Sequence, residues 1–348
     1  MDIILLAVSF LLILAGAELF TNGIEWFGRK LELAEGAVGS VLAAVGTALP
    51  ETMIPIIAIA FSSGAHTSGI GVGAILGAPF MLATLAMFVT GVAVLWQARR
   101  RPAGDVMPVD VEVLGLDMRT FAVAYGVAIG AALLPVEPTW PKLVVAVGLV
   151  FIYILYVKRH FEADPDVDLE DLAPLRFRNL DPLHRRTPGP PRLRVVNLQV
   201  VVALGLIVIG AIEFVGAVEN VANALGVSEV LLALIVAPIA TELPEKFNSI
   251  IWVRQGKDTL AMGNITGAMV FQASLPTVVA LVLIPREWVI GPGSYVAFAS
   301  AGIAFLSSAA IFLPMVRRGR LNGRGLLVGG LFYAVYIAIV VVAILRPA

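Results

Sequence analysis

The chain has 348 residues, of which 59% are hydrophobic and only 14% are charged, and its mean hydropathy is +0.93. Soluble globular chains carry about 25% charged residues, so this composition excludes an ordinary soluble domain and indicates a membrane protein with several spans. The net charge of −1 gives no support to a nucleic-acid partner, and the lack of cysteine excludes disulfides and thiolate metal sites. We expect the three histidines, His66, His160 and His184, to lie in loops, which argues against a histidine-rich metal centre.

A bilayer core of about 30 Å requires roughly 20 apolar helical residues, and ten stretches are candidates to cross it, of which the fourth is short. Numbered one to ten in chain order, these spans are residues 3–27, 36–61, 69–97, 120–134, 139–157, 197–217, 228–252, 258–284, 293–316 and 325–345. The predicted fold is therefore an all-α membrane protein of ten transmembrane helices, with the lipid bilayer as its surroundings.

Lysine and arginine are distributed unevenly between the two sides of this bundle. If the ten helices alternate in direction, 20 of the 24 basic residues fall in the loops of one side, and 3 fall on the other side. The positive-inside rule then places both termini outside and the long 158–196 loop in the cytoplasm. We expect an integral protein of a prokaryotic inner or plasma membrane.

The chain divides into three parts. Residues 1–157 form a first five-helix unit, residues 158–196 a polar connection, and residues 197–348 a second five-helix unit. The connection contains an acidic run followed by a run rich in proline and arginine, a composition typical of a solvated linker.

An internal repeat relates the two five-helix units. Residues 47–51 read Thr-Ala-Leu-Pro-Glu and residues 241–245 read Thr-Glu-Leu-Pro-Glu, so that a shift of 194 residues superimposes them. Further along, residues 73–77 resemble residues 263–267 with a shift of 190. Because each unit has an odd number of spans, the second must enter the membrane from the opposite side. The sequence therefore predicts two inverted repeats, an architecture found in secondary transporters.

The repeated segment carries a proline and a glutamate in the middle of spans two and seven. Pro50 and Pro244 each remove a backbone donor, so both helices are predicted to break and to expose carbonyl oxygens. Glu51 and Glu245 follow directly, although a carboxylate at the bilayer centre costs about 3 kcal/mol or more. Two such acids, with nearby hydroxyl and carbonyl oxygens, would suit a hard cation such as calcium. The same pair could also exchange protons.

At these residues the chain resembles the calcium/cation antiporter superfamily, whose best-known branch is the sodium/calcium exchangers. That family carries two repeats, each with Gly-Thr-Ser-Leu-Pro-Glu followed by Gly-Asn-x-x-Gly-Ser-Asn-x-x-Asn. The resemblance implies that Glu51 and Glu245 bind a calcium-like ion, and that Thr47 and Thr241 add oxygens. It also implies that helices one and six slide against a core made of the other eight.

The second family motif is only partly present. Residues 73–82 read Gly-Ala-Ile-Leu-Gly-Ala-Pro-Phe-Met-Leu, and residues 263–272 read Gly-Asn-Ile-Thr-Gly-Ala-Met-Val-Phe-Gln. Asn264 and Gln272 keep polar side chains and are expected to contribute to the cation site. The family uses the missing hydroxyls and amides to bind sodium, so their loss weakens the expectation of sodium coupling and favours protons.

Four further charged residues lie near the predicted site. Glu242 replaces the serine of the first family motif and is a candidate ligand, four residues from Lys246 and on the same helical face. Three roles for Lys246 stay open: it neutralises Glu242, it reaches the site in place of a cation, or it extends to the cytoplasmic interface. Glu18 and Glu213 occupy matching positions in spans one and six, where they either face the ion path or lie near the outer interface.

The sequence thus predicts a secondary antiporter that exchanges calcium or a similar cation for sodium or protons. Small inorganic cations are its expected partners, with no cofactor other than the transported ion. The alternatives are a proton-coupled exchanger of a different cation and a transport-inactive, exchanger-like scaffold. We do not expect an enzyme, because neither His-Glu-x-x-His nor Gly-x-Ser-x-Gly occurs and a hydrolase would leave the repeat unexplained.

Overall fold

The structure, a computed structural model, is almost entirely helical over the residues that it describes. These are residues 2–30, 40–41, 44–45, 48, 52, 56, 59, 65–162, 172–181, 190–225, 243–291 and 294–345. Much of predicted spans two and seven lies outside them. In span two, the described positions from 44 to 59 are all α-helical, while Pro50 and its predicted helix break fall on residues outside the described set.

The described helices are numbered here in chain order. They are α1 (Asp2–Lys30), α2 (Ala65–Met81), α3 (Met87–Gln97), α4 (Val111–Gly130), α5 (Trp140–Glu162), α6 (Leu193–Leu225), α7 (Leu243–Gln255), α8 (Asp258–Leu283), α9 (Tyr295–Arg318), α10 (Gly323–Leu326) and α11 (Val328–Leu345). A π-helical turn (Leu82–Ala86) joins α2 to α3, and short 3-10 turns occupy Ala131–Leu133 and Arg178–Leu180. Two short antiparallel strands, β1 (Val106–Met107) and β2 (Leu321–Asn322), pair Val106 with Asn322 and Met107 with Leu321.

Eight helical segments in the described part of the chain are long and apolar enough to cross a bilayer. They are Ile4–Lys30, Gly71–Gln97, Val111–Leu133, Trp140–Glu162, Leu193–Phe214, Asp258–Leu283, Tyr295–Arg318 and Gly323–Val342. They confirm spans one, three to six and eight to ten. The total of ten spans stays a prediction, because spans two and seven fall mostly outside the described residues.

Span four begins nine residues earlier than its predicted start at residue 120. Helix α4 starts at Val111, where the Asp110 carboxylate caps it by accepting from the backbone N–H groups of Glu112 (2.8 Å) and Val113 (3.1 Å). The early start was missed because Asp117 and the charges around it lower the local hydropathy.

Helix α8 occupies the centre of the bundle. It packs against α2, α4, α5 and α7, and every residue from Ala261 to Ser274 is buried. A helix that is surrounded on all sides needs an apolar sequence without a polar face, and α8 has a single charged residue, Asp258, in its first turn. Polar side chains further along α8 therefore bond to carbonyls of their own helix, as Ser274 does, or to neighbouring elements, as Gln272 does.

Helices α1 and α6 run antiparallel and pack mainly against each other. Their contact is reciprocal: a Cβ on Gly16 would lie 2.8 Å from Ile207 Cγ1, and a Cβ on Gly210 would lie 2.8 Å from Ile13 Cγ1. The shift of 194 residues takes Ile13 to Ile207 and Gly16 to Gly210. An exchange of equivalent contacts is what a two-fold axis between the two helices requires.

Part of the predicted linker is packed rather than solvated. Helix α5 continues to Glu162 and α6 begins at Leu193, and residues 172–181 between them lie against α1 and α6. The carbonyl of Ala173 accepts from Trp26 Nε1 (2.9 Å) and from Asn22 Nδ2 (3.2 Å), both on α1. The Phe177 N–H donates to Gln199 Oε1 (2.9 Å) on α6. The expectation of a fully solvated linker was therefore wrong for this segment, because composition does not reveal long-range hydrogen bonds.

Two buried basic side chains, Arg101 and Lys142, connect helical elements at the two ends of the bundle. At one end, the Arg101 guanidinium donates to both carboxylate oxygens of Asp258, at 2.9 and 2.5 Å, and to the carbonyls of Val253 (2.6 Å) and Val106 (3.3 Å). At the other end, Lys142 Nζ donates to two carbonyls of the segment that follows α8. Lys142, near the start of predicted span five, is fully buried.

Candidate cation site

The described part of the candidate site joins span two to α8. Gln272 Nε2 donates to the carbonyl of Ala48 (3.2 Å), and Thr52 Oγ1 donates to the same carbonyl (2.9 Å). Thr52 Oγ1 also lies 3.5 Å from Gln272 Oε1, and all three residues are buried. Gln272, predicted from the family motif, therefore reaches span two inside the Thr-x-Leu-Pro-Glu segment, and Ala48 is the second residue of that segment.

Five predicted site residues lie outside the described residues. They are Thr47, Pro50, Glu51, Thr241 and Glu242. Their roles stay predictions, although Ala48 and Thr52 flank Pro50 and Glu51 along the chain.

Helix α7 begins within the second copy of the motif, at Leu243. Pro244 and Glu245 belong to its first turn, and the exposed fraction of Lys246 is only 6%. A buried ammonium favours the two roles in which Lys246 stays inside the protein, either with Glu242 or at the cation site, over an extended side chain at the interface. The partner Glu242 stays a prediction.

Asn264 and Gln272 are both buried on α8, but they lie at different depths. Eight residues of helix separate them, which corresponds to about 12 Å along the axis. Gln272 contacts Ala48, whereas Asn264 follows Gly263, which faces Ser40 at the beginning of span two. The structure therefore brings Gln272 to Ala48 of the Thr-x-Leu-Pro-Glu segment, while the role of Asn264 in the cation site stays a prediction.

The apolar substitutions in the second motif fill the interior of the bundle. Ala74, Ala78 and Leu82 on the first copy are buried, as are Ala268 and Met269 on the second. Hydrocarbon cannot replace the hydration shell of a sodium ion, because hard cations bind oxygen ligands. These positions contribute packing and no cation ligand.

The two acids of the predicted ion path have exposed side chains. Glu18 forms an ion pair of 2.7 Å with Arg176 of the packed 172–181 segment, and Glu213 on α6 is also exposed. An exposed ion pair contributes about 0–1 kcal/mol, so the contact of Glu18 helps to hold the segment only weakly.

The sequence did not reveal Thr52 or a second polar cluster around Asp117. Thr52 directly follows Glu51, and a hydroxyl next to a predicted cation ligand was a usable signal. His160 is buried in α5, and its Nε2 lies 2.8 Å from Asp117 Oδ1, so its predicted loop position was wrong. His66 also lies in a helix, α2. The spacing of Tyr156 and His160, four residues apart, would have indicated a shared helical face.

The oxygen atoms in the described part of the site are of the kind that bind hard cations. They comprise the Ala48 carbonyl, the Thr52 hydroxyl and the Gln272 amide oxygen. Within the described residues, no group of three or more histidine, aspartate or glutamate side chains gathers as a metal site. The roles of Glu51 and Glu245 as cation ligands stay predictions.

These features define a class of protein: a polytopic helical membrane protein whose central helix presents polar side chains to an interior span. The sequence profile of the sodium/calcium exchanger protein family matches residues 1–159 and 196–345, and the chain belongs to this family. It is thus an integral membrane protein of the calcium/cation antiporter superfamily, as the repeated motif indicated.

Relatives and solved structures agree with this assignment over nearly the whole chain. The putative antiporter CaxA of Alkalimonas amylolytica is 25% identical over 325 residues, which cover 92% of this chain and 91% of CaxA. Inner membrane protein YrbG of Escherichia coli strain K12 is 26% identical over 329 residues, covering 94% and 93%. The fold is similar to that of the H+/Ca2+ exchanger CAX, with a TM-score of 0.77 at 15% identity, covering 100% of this chain and 82% of CAX. For the sodium-calcium exchanger NCX_Mj, the TM-score is 0.62 at 16% identity, covering 97% and 98%.

Proposed function

We propose that this protein is a secondary-active antiporter that exchanges calcium or a similar cation for sodium or protons by alternating access. Glu51 and Glu245 are its central cation ligands, with oxygens from Thr47 and Thr241. One observation carries most of the proposal: the Thr-x-Leu-Pro-Glu sequence recurs in both halves, and Gln272 of the second half contacts its first copy.

The two halves, residues 1–157 and 197–348, are inverted five-helix repeats in this proposal, joined by the cytoplasmic 158–196 connection, with both termini outside. The reciprocal contact of Gly16 and Gly210 between antiparallel helices supports such an axis. Since α1 and α6 pack mainly against each other, they can move as a pair relative to the remaining helices. Such a movement would expose the site to either side in turn.

Protons are the counter-ion that the interior favours. Five of the second-motif positions, Ala74, Ala78, Leu82, Ala268 and Met269, hold buried apolar side chains, whereas the motif glutamates can release a proton when a cation binds. The similar fold of an H+/Ca2+ exchanger agrees with this choice. The buried Lys246 neutralises Glu242 in this proposal, so that the site keeps only the two motif glutamates as unpaired acids.

Uptake by liposomes that contain the purified protein tests the proposal. Calcium uptake is measured with an imposed proton gradient, and separately with an imposed sodium gradient. Glu51→Gln and Glu245→Gln should each abolish uptake, because an amide cannot supply the charge that a divalent cation requires. Glu137→Gln is a matched control, since Glu137 is an exposed acid that pairs with Arg286 at the surface.

Each alternative predicts a different outcome. Uptake of another divalent cation, but not of calcium, would identify a proton-coupled exchanger of that ion. Absence of uptake for every cation and gradient in the folded protein would identify a transport-inactive scaffold. Normal uptake by both glutamine variants would refute the assigned ligands.

A further inference from the structure

A single carboxylate inside the bundle gathers four polar partners from three helical elements. Asp117 on α4 is fully buried, and its Oδ1 lies 2.9 Å from the Tyr156 hydroxyl and 2.8 Å from His160 Nε2, both on α5. Its Oδ2 accepts from Thr266 Oγ1 (2.5 Å) on α8 and from Ser40 Oγ (3.3 Å) in span two. We call these five residues the Asp117 cluster.

The number of partners matches an ionised carboxylate. An ionised carboxylate is an acceptor only and has about four lone-pair sites, so it can accept from all four partners at once. With a neutral His160, however, the cluster would hold one uncompensated negative charge among buried side chains, which is strongly unfavourable. One proton added to His160 makes the cluster neutral and turns the His160–Asp117 contact into a buried ion pair.

No other charge in the described surroundings can neutralise Asp117. Helix α4 packs against α5, α8 and α9. The sole charged residue of α8, Asp258, lies eight residues from Thr266 and forms an ion pair with Arg101. The other charged side chains at this end of the described α4, α5 and α9 are exposed: Glu112, Arg119, Lys158, Arg159, Glu162, Arg317 and Arg318. Tyr153 contacts the Tyr156 ring and carries no charge when protonated.

The cluster also fixes the beginning of span two. The Ser40 carbonyl lies 3.2 Å from the Tyr156 hydroxyl, in addition to the contact of its side chain with Asp117. Ser40 packs closely against two glycines of α8. A Cβ on Gly263 would lie 2.9 Å from Ser40 Oγ, and a Cβ on Gly267 would overlap the Ser40 carbonyl. Since Ser40 is seven residues before Thr47, this anchor belongs to the span that carries the first motif.

We propose that Asp117 and His160 form a proton-binding site, separate from the motif glutamates, at the end of the bundle where α5 ends and α4 and α8 begin. The bound proton sets the net charge of the group that anchors span two. Proton binding is independent of the proposed transport function, whereas a coupling between this proton and cation exchange rests on that function.

Nitrogen NMR of the intact protein in lipid nanodiscs tests proton binding directly. The chain has three histidines, so the variant His66→Gln/His184→Gln leaves His160 as the sole imidazole signal. Its spectrum is followed from pH about 5 to about 8, the range in which histidines titrate. We expect both ring nitrogens to carry a proton over part of this range, and a changed titration in the same background with Asp117→Asn.

Either of two results would overturn the proton site. One is a His160 ring that stays neutral throughout the range, and the other is an identical titration with and without Asp117→Asn. Should Asp117→Asn fail to fold, the titration of the parent variant still decides, because it needs no change within the cluster. These spectra do not depend on transport, so a failed proton site and a failed transport function can be distinguished.

The coupling has its own test in His160→Gln. The Gln amide can donate the same hydrogen bond to Asp117 but cannot take up a proton in this range. Calcium-for-calcium exchange is measured at equal pH on both sides of the membrane, which removes any proton driving force. We expect the pH profile of His160→Gln to differ from wild type, while the control His184→Gln keeps the wild-type profile. Identical profiles in all three proteins would refute the coupling.

Discussion

Replacement of Arg101 by methionine should destabilise the folded protein by about 3–5 kcal/mol, the usual cost of removing one partner from a buried ion pair. The estimate follows from burial: the exposed fractions of Arg101 and Asp258 are 8% and 2%. Methionine fills part of the volume but leaves the Asp258 carboxylate without its bidentate partner. It also removes the donor to the carbonyls of Val253 and Val106, which adds to the cost.

A double-mutant cycle separates the ion pair from general packing. Asp258→Asn keeps the shape of the carboxyl group, so it isolates the loss of charge. In the double variant Arg101→Met/Asp258→Asn, no charge is left buried without a partner. We therefore expect the double variant to be more stable than the sum of the two single changes predicts, by at least about 1 kcal/mol.

Reversible unfolding of the purified protein in mixed micelles, with increasing denaturing detergent and tryptophan fluorescence as the signal, measures these energies. Arg324→Met is the matched control, because its pair with Asp105 is longer (3.5 Å) and its side chain is 80% exposed. It should cost less than about 1 kcal/mol, as exposed ion pairs do. A similarly small cost for Arg101→Met, or strict additivity in the cycle, would refute the reasoning.

Three further predictions concern the interior contacts. Gly267→Val should lower both stability and calcium uptake, because any side chain there overlaps span two; Gly302→Val, where a Cβ meets open space, should change neither when tested by thermal unfolding and uptake. Gln272→Leu should raise the KM for calcium about tenfold, since it removes a buried hydrogen bond of about 1.4 kcal/mol, and an unchanged KM would contradict the contact's role. Asn22→Leu should speed proteolytic cleavage within 172–181 severalfold, because the Asn22 side chain donates to the Ala173 carbonyl and accepts from the Arg176 N–H. Equal cleavage rates would show that other contacts hold the segment.

The sequence predicted the membrane-crossing helices well because long apolar runs are a local property. Eight predicted spans reappear in the described residues, and their ends differ most where a charged residue lies inside a helix. The start of α4 was missed since Asp117 lowers hydropathy, yet its charge is satisfied by side chains from α5, α8 and span two. Such compensation depends on contacts between distant parts of the chain, which no local window can reveal.

Some polar residues of the interior were predicted and others were missed, for the same reason. Gln272 was found because it occupies the last position of a repeated motif, and the structure brings it to Ala48. His160 was placed in a loop, although it lies in the last turn of α5, because a histidine at the end of an apolar run looks like a boundary. Its partner Asp117 is 43 residues away in the sequence, so their pairing could not be inferred from spacing.

The Asp117 cluster breaks the symmetry that the repeat otherwise imposes. The shift of 190 residues relates Thr266 to Leu76, which is fully buried and has no hydroxyl, so within the described residues the contact of Thr266 with Asp117 has no equivalent at Leu76. Two inverted repeats with identical contacts would give the inward-open and outward-open conformations equal energy, and the reciprocal contact of Gly16 and Gly210 favours neither. A ligand shifts such an equilibrium only by its unequal affinity for the two states. Under the proposed coupling, a proton bound at the Asp117 cluster acts in this way, since the group that it neutralises anchors span two. In the proposed mechanism, the symmetric helices allow the exchange of conformations, and the asymmetric cluster sets which of them the proton favours.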